Sequence, residues 1–215
     1  MCKRPLYYMA PMGPLPIGNA AFIRLLGIFS YNQQKLNPVL VKFSSSIADP
    51  GVNYRRHWRR VGDRPLHDFV PFYWATHTPM QYVQSVRDKV IPQDDLVFYV
   101  VDADEILDMA GIWTTDGNAA SHETAAYLGR GAEPVLDWKV LNTRDCYSPE
   151  YKRRKCAEVL VPDRVPPELI QRICVYSESA IAELDRRTGL FLHSLGVANI
   201  SVIPVVIEVC RDLYY

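Results

Sequence analysis

The chain reads as an α+β domain. Three observations carry that reading: many short strand-like apolar runs, a few helix signals that do not alternate with them regularly, and a composition that supports one core. Its 215 residues are 48% hydrophobic and 22% charged, which suits a single globular domain spanning 1–215.

The elements follow in order from local chemistry. Residues 5–9 read as a short strand. Residues 13–18 form a Gly/Pro loop, after which Asn19 caps a helix over 20–26 that Gly27 ends. Residues 30–51 are polar and read as irregular, with Ser44-Ser45-Ser46 and Asp49-Pro50-Gly51 as turn signals. Residues 66–74 are aromatic-rich and strand-like, with Pro71 restricting them to a broken or edge strand. Thr78-Pro79 opens a helix to about Lys89, with Thr at the cap and Pro in the first turn. Residues 95–101 read as a buried strand, and Asp102 caps a helix over 103–110 closed by Gly111. Residues 112–155 read as short helical pieces and a long loop. Strands are expected at 156–161, 173–176 and 200–209, with a Pro-Pro turn at 166–167 and a helix over 179–195.

Several function classes are excluded or disfavoured. The longest apolar run near the end, 202–209, is interrupted by Pro204 and Glu208 and is too short to span a bilayer. The opening residues carry basic charge without an apolar signal core, so no export signal is expected. Five cysteines, Cys2, Cys146, Cys156, Cys174 and Cys210, are scattered without CxxC spacing. That pattern predicts reduced thiols in a cytoplasm and no metal. No P-loop, dinucleotide-binding glycine motif or nucleophile elbow occurs.

The most informative stretch is 153–161. A basic run, Arg153-Arg154-Lys155, leads into an apolar strand holding one carboxylate, Glu158. Alternation puts Ala157, Val159 and Val161 on one face and Cys156, Glu158 and Leu160 on the other. A carboxylate among apolar neighbours costs free energy unless a partner or ligand takes it up. The plainer alternative is an edge-strand Glu turned to solvent.

A second constellation is 52–64, with five Arg, His57, Trp58 and Tyr54 against a single Asp, on a chain of net charge zero. The pairs Arg55-Arg56 and Arg59-Arg60 recur four apart, so on a helix they would share one basic face. Forked Arg donors suit phosphates, and Tyr54 and Trp58 suit stacking on bases. A solvated charged stripe explains the same residues. Thr115-Asp116-Gly117-Asn118 reads as a turn, and Tyr7-Tyr8-Met9-Ala10 as a core strand or an aromatic clamp. His67-Asp68 reads as a hydrogen-bonded structural pair.

Taken in order, these pieces resemble the DarT family of toxin-like enzymes that ADP-ribosylate single-stranded DNA. The matching stretches are Leu6-Tyr7-Tyr8, 19–32, Ile47-Ala48 with Arg55-Arg56, Leu66 to Tyr73, and Thr78-Pro79-Met80 with Tyr82. They continue with Thr115-Asp116-Gly117, Leu136-Asp137-Trp138, Lys155 with Ala157 to Val161, Val175-Tyr176 and Asp212 to Tyr215.

The resemblance implies an ADP-ribosyltransferase fold: a split, twisted β-core with flanking helices and NAD in the cleft. It implies Glu158 as the catalytic glutamate and Arg55 as the catalytic arginine, with Arg56 as fallback because the pair is adjacent. Tyr8, Met9, Ala10, Phe22, Phe29 and Arg55 would contact NAD. Arg56, Trp58, Arg59, Arg60, Asn118 and Arg154 would meet single-stranded DNA. Residues 118–158 would form the substrate-recognition loop, and residues near 35–55 would close over the cofactor. The family also implies a macrodomain antitoxin of DarG type as partner.

Two departures stand out. Tyr8, followed by Met9-Ala10, occupies a place where the family usually has His, and Asn118 replaces a second His. Thymine and guanine are the candidate target bases. The loop 13–18 reads as an insertion near the cofactor pocket.

Overall fold

The computed structural model describes residues 4–43, 47–145, 147–196 and 205–215. The expected turn at Ser44-Ser45-Ser46 and the first residues of the last predicted strand lie outside them.

Strand β1 (Pro5–Pro11) leads to helix α1 (Gly18–Leu26). Asn19 lies inside the first turn of that helix; Ile17 holds the cap position and makes no side-chain cap bond. Gly27 does end it, with φ 84° and ψ −171°, a region open to glycine alone. A Cβ there would also strike the Val165 carbonyl oxygen. The two-residue strand β2 (Ile28–Phe29) pairs with residues 164–165.

The stretch read as irregular is helical: α2 (Tyr31–Leu36), α3 (Pro38–Phe43) and the start of α4 (Pro50–Trp58). Its polar residues are caps. Ser30 accepts from the Gln33 N–H, and the Asp49 carboxylate accepts from the N–H groups of Gly51 and Val52, with Pro50 in the first turn. Helix α4 stops at Trp58, so Arg59 and Arg60 fall outside it. The single basic face therefore does not form.

A two-strand ribbon, β3 (Arg60–Val61) and β4 (Arg64–Pro65), leads through a 3-10 turn into β5 (Phe69–Tyr73). Helix α5 (Pro79–Tyr82) widens into a π-type turn through Arg87, capped by Thr78 as expected. Strand β6 (Leu96–Asp102) is buried at every position, and α6 (Ala103–Leu107) follows with Asp102 at its cap. Residues 112–155 hold two strands that local pattern did not indicate, β7 (Trp113–Thr115) and β8 (Ala126–Leu128). They also hold α7 (Trp138–Asn142) and α8 (Pro149–Lys155). Strand β9 (Glu158–Pro162), β10 (Arg164–Val165), β11 (Arg172–Val175), helix α9 (Glu178–Ser194) and β12 (Val206–Val209) complete the described chain.

One mixed sheet organises the molecule, in the order β12-β11-β6-β1-β5-β9-β7-β8. Strand β1 pairs with β6 along its whole length, from Pro5 opposite Asp102 to Pro11 opposite Leu96. Against β5 it pairs at one position only, Tyr7 opposite Tyr73. The sheet thus splits beyond that point. Pro71 sits centrally in the strand order, so of the expected broken or edge strand the edge alternative does not hold. The Trp74 N–H donates toward β9, to Ala157, so by alternation the Pro71 nitrogen faces β1 across the split, where no ladder bond is lost.

Helices α1 and α9 pack together against one face through a cluster that includes Phe22, Ile23, Val159, Leu184 and Phe191. The other face carries Tyr7, Met9, Tyr73, Phe98 and Cys156. The predicted alternation in β9 holds: Ala157, Val159 and Val161 join the first cluster, and Cys156 and Leu160 face away. No described helix is long and apolar enough to cross a membrane.

Candidate active site

Glu158 begins β9 beside the split, opposite Tyr73. Its side chain is 1% exposed, so the solvent-facing alternative does not hold. Three contacts hold the carboxylate. Arg56 Nη1 donates to both oxygens, at 2.9 and 3.3 Å, and the Ala119 N–H donates to Oε1 at 3.0 Å. The backbone is clamped too: the Glu158 N–H donates to Thr115 Oγ1 at 3.0 Å, and Thr115 Oγ1 donates to the Gly117 carbonyl at 2.7 Å. The segment read only as a turn therefore aims the glutamate. Replacing Thr115 by Val leaves the buried Glu158 N–H without its acceptor, and a stability loss of about 1–3 kcal/mol is expected in urea denaturation.

Burial lowers the pKa of Arg56, but the charges of Glu158 and Tyr73 and the Glu158 hydrogen bond outweigh it, and the net shift is upward. Tyr73 is pushed well up, by burial first and by Glu158 second. Burial pushes Tyr8 up to about 12, so its hydroxyl keeps its proton at neutral pH. His67 moves down to about 4, through burial and then the charge of Arg56, and is neutral. His67 lines the cleft and packs on Tyr31, with ring centroids 4.4 Å apart. It does not pair with Asp68, which accepts from Asn32 and Arg64 instead.

The split opens into a cleft of about 780 Å³. Tyr8, Met9, Phe29, Arg55, Arg56 and Asn118 line it, as do Ile47, Asp49 and Asn53 from the segment expected to close over a cofactor. Glu158 is not among the lining residues; Arg56, which grips it, is. The structure therefore brings Arg56 to the glutamate, while Arg55 is exposed one helical step away.

Other expected residues fall elsewhere. Phe22 and Ala10 are 1% exposed within the main core and do not line the cleft. Both belong to the core cluster that α1, β1 and α9 share. The loop 13–18 contributes nothing to the cleft lining; it meets α9, where Arg187 donates to the Gly13 carbonyl. Trp58 is 68% exposed, edge-on to Tyr54 and His57, and outside the cleft. Arg59 donates to the Thr124 carbonyl, and Arg60 to that of Asp63. Arg154 pairs with Glu150 and Asp137. Acids outside the stretch neutralise part of the 52–64 cluster: Glu158 holds Arg56, Asp163 holds Arg64 from far along the chain, and Asp68 holds Arg64 from four residues on.

Lys155 was legible as a member of a basic run and of a family motif, with no role assigned to it. It ends α8 buried, with Nζ donating to the carbonyls of Val140, Leu141 and Thr143. It thereby ties α7 to the start of the glutamate strand.

A mixed sheet split between its halves, with flanking helices and a buried glutamate at the opening, is an α+β ADP-ribosyltransferase-like fold. Residues 27–208 match the family model described as ssDNA thymidine ADP-ribosyltransferase, DarT, and the chain belongs to that family.

A DNA ADP-ribosyl transferase–DNA ADP-ribosyl glycohydrolase fusion protein of Thermosipho africanus is 29% identical over 212 residues, which are 94% of this chain and 48% of that protein. A DNA ADP-ribosyl transferase of Thermus sp. is 31% identical over 143 residues, 62% of this chain and 67% of that protein. The chain thus spans about half the length of the fusion relative. The solved structure of Thermus sp. 2.9 DarT in complex with ADP-ribosylated ssDNA matches with a TM-score of 0.78 at 23% identity, over 99% of this chain and 97% of that one. Its complex with NAD+ matches with a TM-score of 0.75 at 22% identity.

Proposed function

We propose that the chain is an NAD-dependent transferase that attaches ADP-ribose to a base of single-stranded DNA, thymine first, and that it acts as a toxin. The observation that carries this reading is the buried Glu158 at the sheet split, held by Arg56 at the edge of a cleft large enough for a dinucleotide. The cleft volume lies within the range of small-molecule and cofactor sites. Its lining also fits: Phe29, Tyr31 and Ile47 offer apolar surface, and Arg55 offers charge to a phosphate.

Bound NAD supplies an ADP-ribosyl group whose ribose gains positive charge as nicotinamide leaves. Glu158, rigid on its strand, places a negative charge that stabilises such a state more than the ground state. Arg56 is proposed as the catalytic arginine in preference to Arg55. With a pKa far above neutrality it does not take a proton from the target base; it orients and balances charge. Because Arg56 covers the carboxylate, Glu158 engages a sugar hydroxyl only when Arg56 releases one of its two contacts. Tyr8 keeps a donor where a histidine is usual, and Asn118 keeps a side-chain amide at the cleft.

The same reading places the protein in the cytoplasm as a single domain with reduced thiols. It assigns it a DarG-like glycohydrolase partner, the activity fused to the transferase in the Thermosipho africanus relative. The test is mass spectrometry of oligonucleotides incubated with protein and NAD. Addition of ADP-ribose to thymine-containing single strands, and weaker addition to thymine-free DNA and to RNA, is the expected result. Release of nicotinamide with no modified oligonucleotide of any sequence overturns the DNA assignment.

A further inference from the structure

The spacing of the cysteines predicts no metal, yet three ligand-type side chains converge across the far edge of the sheet. Strands β11 and β12 are parallel there, with Cys174 in register with Glu208. Cys210 follows Glu208 by two residues, so alternation brings it back to the same face. Its N–H continues the ladder by donating to the Val175 carbonyl. The donor atoms of Cys174, Glu208 and Cys210 all lie within 4.8 Å of one another. Cys174 Sγ is 3.9 Å from Glu208 Oε1.

We propose that Cys174, Cys210 and Glu208 form a binding site for a thiophilic divalent cation of the zinc class, with water as the fourth ligand. Tetrahedral zinc takes sulfur at about 2.3 Å and oxygen at about 2.0–2.2 Å, which sets ligand–ligand separations of roughly 3.5–3.8 Å. Cys174 Sγ and Glu208 Oε1 already stand near this separation at 3.9 Å, and the other pairs, within 4.8 Å, close by at most about 1 Å. Charge also balances. Two thiolates and one carboxylate exceed a dication by one negative charge, and Arg172 supplies the compensating positive charge, with Nη1 2.8 Å from Glu208 Oε1. A carboxylate held in this way by a neighbouring donor is oriented for its metal.

Accessibility fits one open position. Cys174 is fully buried, Cys210 is 9% exposed, and the Glu208 side chain is 40% exposed, so solvent reaches the cluster from the Glu208 side. The hydrogen bond that Cys174 Sγ donates to Glu208 Oε1, at 3.9 Å, is that of a protonated thiol. Burial raises both thiols, so neither is a ready nucleophile for disulfide exchange. Metal binding replaces two S–H bonds by two metal–sulfur bonds and releases two protons to solvent, with no change of oxidation state.

The site lies four strand spacings from β9, about 19 Å across the sheet, and none of its ligands lines the cleft. Its effect is to staple β12 and the Cys210 turn to β11. That staple also secures Tyr214, whose hydroxyl donates to the carbonyls of Leu96 and Cys174. The proposal does not depend on the transferase reading.

The test uses the full chain without a histidine tag, reduced with a phosphine and titrated anaerobically with cobalt(II). Expected are binding of about one equivalent, thiolate-to-cobalt charge-transfer absorption in the near ultraviolet, intense visible bands of tetrahedral cobalt, and displacement by zinc. Cys210→Ser removes the charge-transfer band or shrinks it to about half, and Glu208→Gln weakens cobalt binding by roughly tenfold or more. Cys2→Ser changes neither. If Cys174→Ser fails to fold, the Cys210→Ser and Glu208→Gln results still decide. Absence of the band in protein whose thiols titrate as free overturns the proposal, as does a band unchanged by Cys210→Ser.

Discussion

Glu158→Gln is expected to lower kcat/KM for ADP-ribose transfer by at least about 10²–10³-fold, the loss seen when one preorganised electrostatic partner is removed. The substitution is nearly isosteric. The amide oxygen still accepts from the Ala119 N–H or from Arg56, and the Thr115 clamp on the backbone is untouched. What disappears is the negative charge. The change belongs in kcat more than in KM, because the charge matters most when positive charge develops on the sugar. Stability also falls, by up to about 3–5 kcal/mol, because Arg56 loses the one buried acid that it pairs with among the described residues. Steady-state kinetics with an oligonucleotide and NAD, beside urea denaturation, separate the two effects. Transfer within tenfold of the parent in folded Glu158→Gln removes this residue from the mechanism.

Arg56→Ala and Arg55→Ala are expected to differ sharply although the residues are adjacent. Arg56→Ala leaves a carboxylate that is 1% exposed with the Ala119 N–H as its remaining donor among the described residues, so about 3–5 kcal/mol of stability is lost along with transfer. Arg55 is exposed, and its removal changes stability within about 0.5 kcal/mol. Its effect on transfer is confined to KM, as for uniform binding of a phosphate. A double replacement, Arg56→Met with Glu158→Leu, separates stability from chemistry. Apolar residues of similar volume often restore or exceed the stability of a buried ion pair, so the double variant is expected to be folded and inactive. Equal behaviour of Arg55→Ala and Arg56→Ala in both assays would reject the assignment to Arg56.

Much of the fold was legible because the signals are local. Thr78-Pro79 and Asp102 each mark a helix start with a cap bond within three residues. Burial along β6 and alternation along β9 match the pattern of apolar residues. The misses share a cause as well. Asp49 was read as a turn former and Ser30 as part of an irregular stretch, yet both cap helices, and a residue that caps a helix is the same residue type that forms a turn. Strands β7 and β8 are three residues each, too short for a period to register. Phe22 was assigned to the cofactor by resemblance, and only the packing of α1 on α9 shows that it serves the core.

The candidate site divides in the same way. Sequence by itself determined that Glu158 sits among apolar neighbours on a strand, that a dense arginine cluster occurs at 52–64, and that the ordered motifs are those of one family. Periodicity and motif order are written into neighbouring residues, so no folding is needed to read them. Only the tertiary structure decided which arginine meets the glutamate, because Arg56 and Glu158 lie 102 residues apart. Helix α4 presents successive side chains about 100° apart, so its orientation over the split selects Arg56 and turns Arg55 to solvent. The same holds for Thr115 under Glu158 and for Cys174 beside Glu208: each contact is made by strand pairing, and pairing is a property of the sheet.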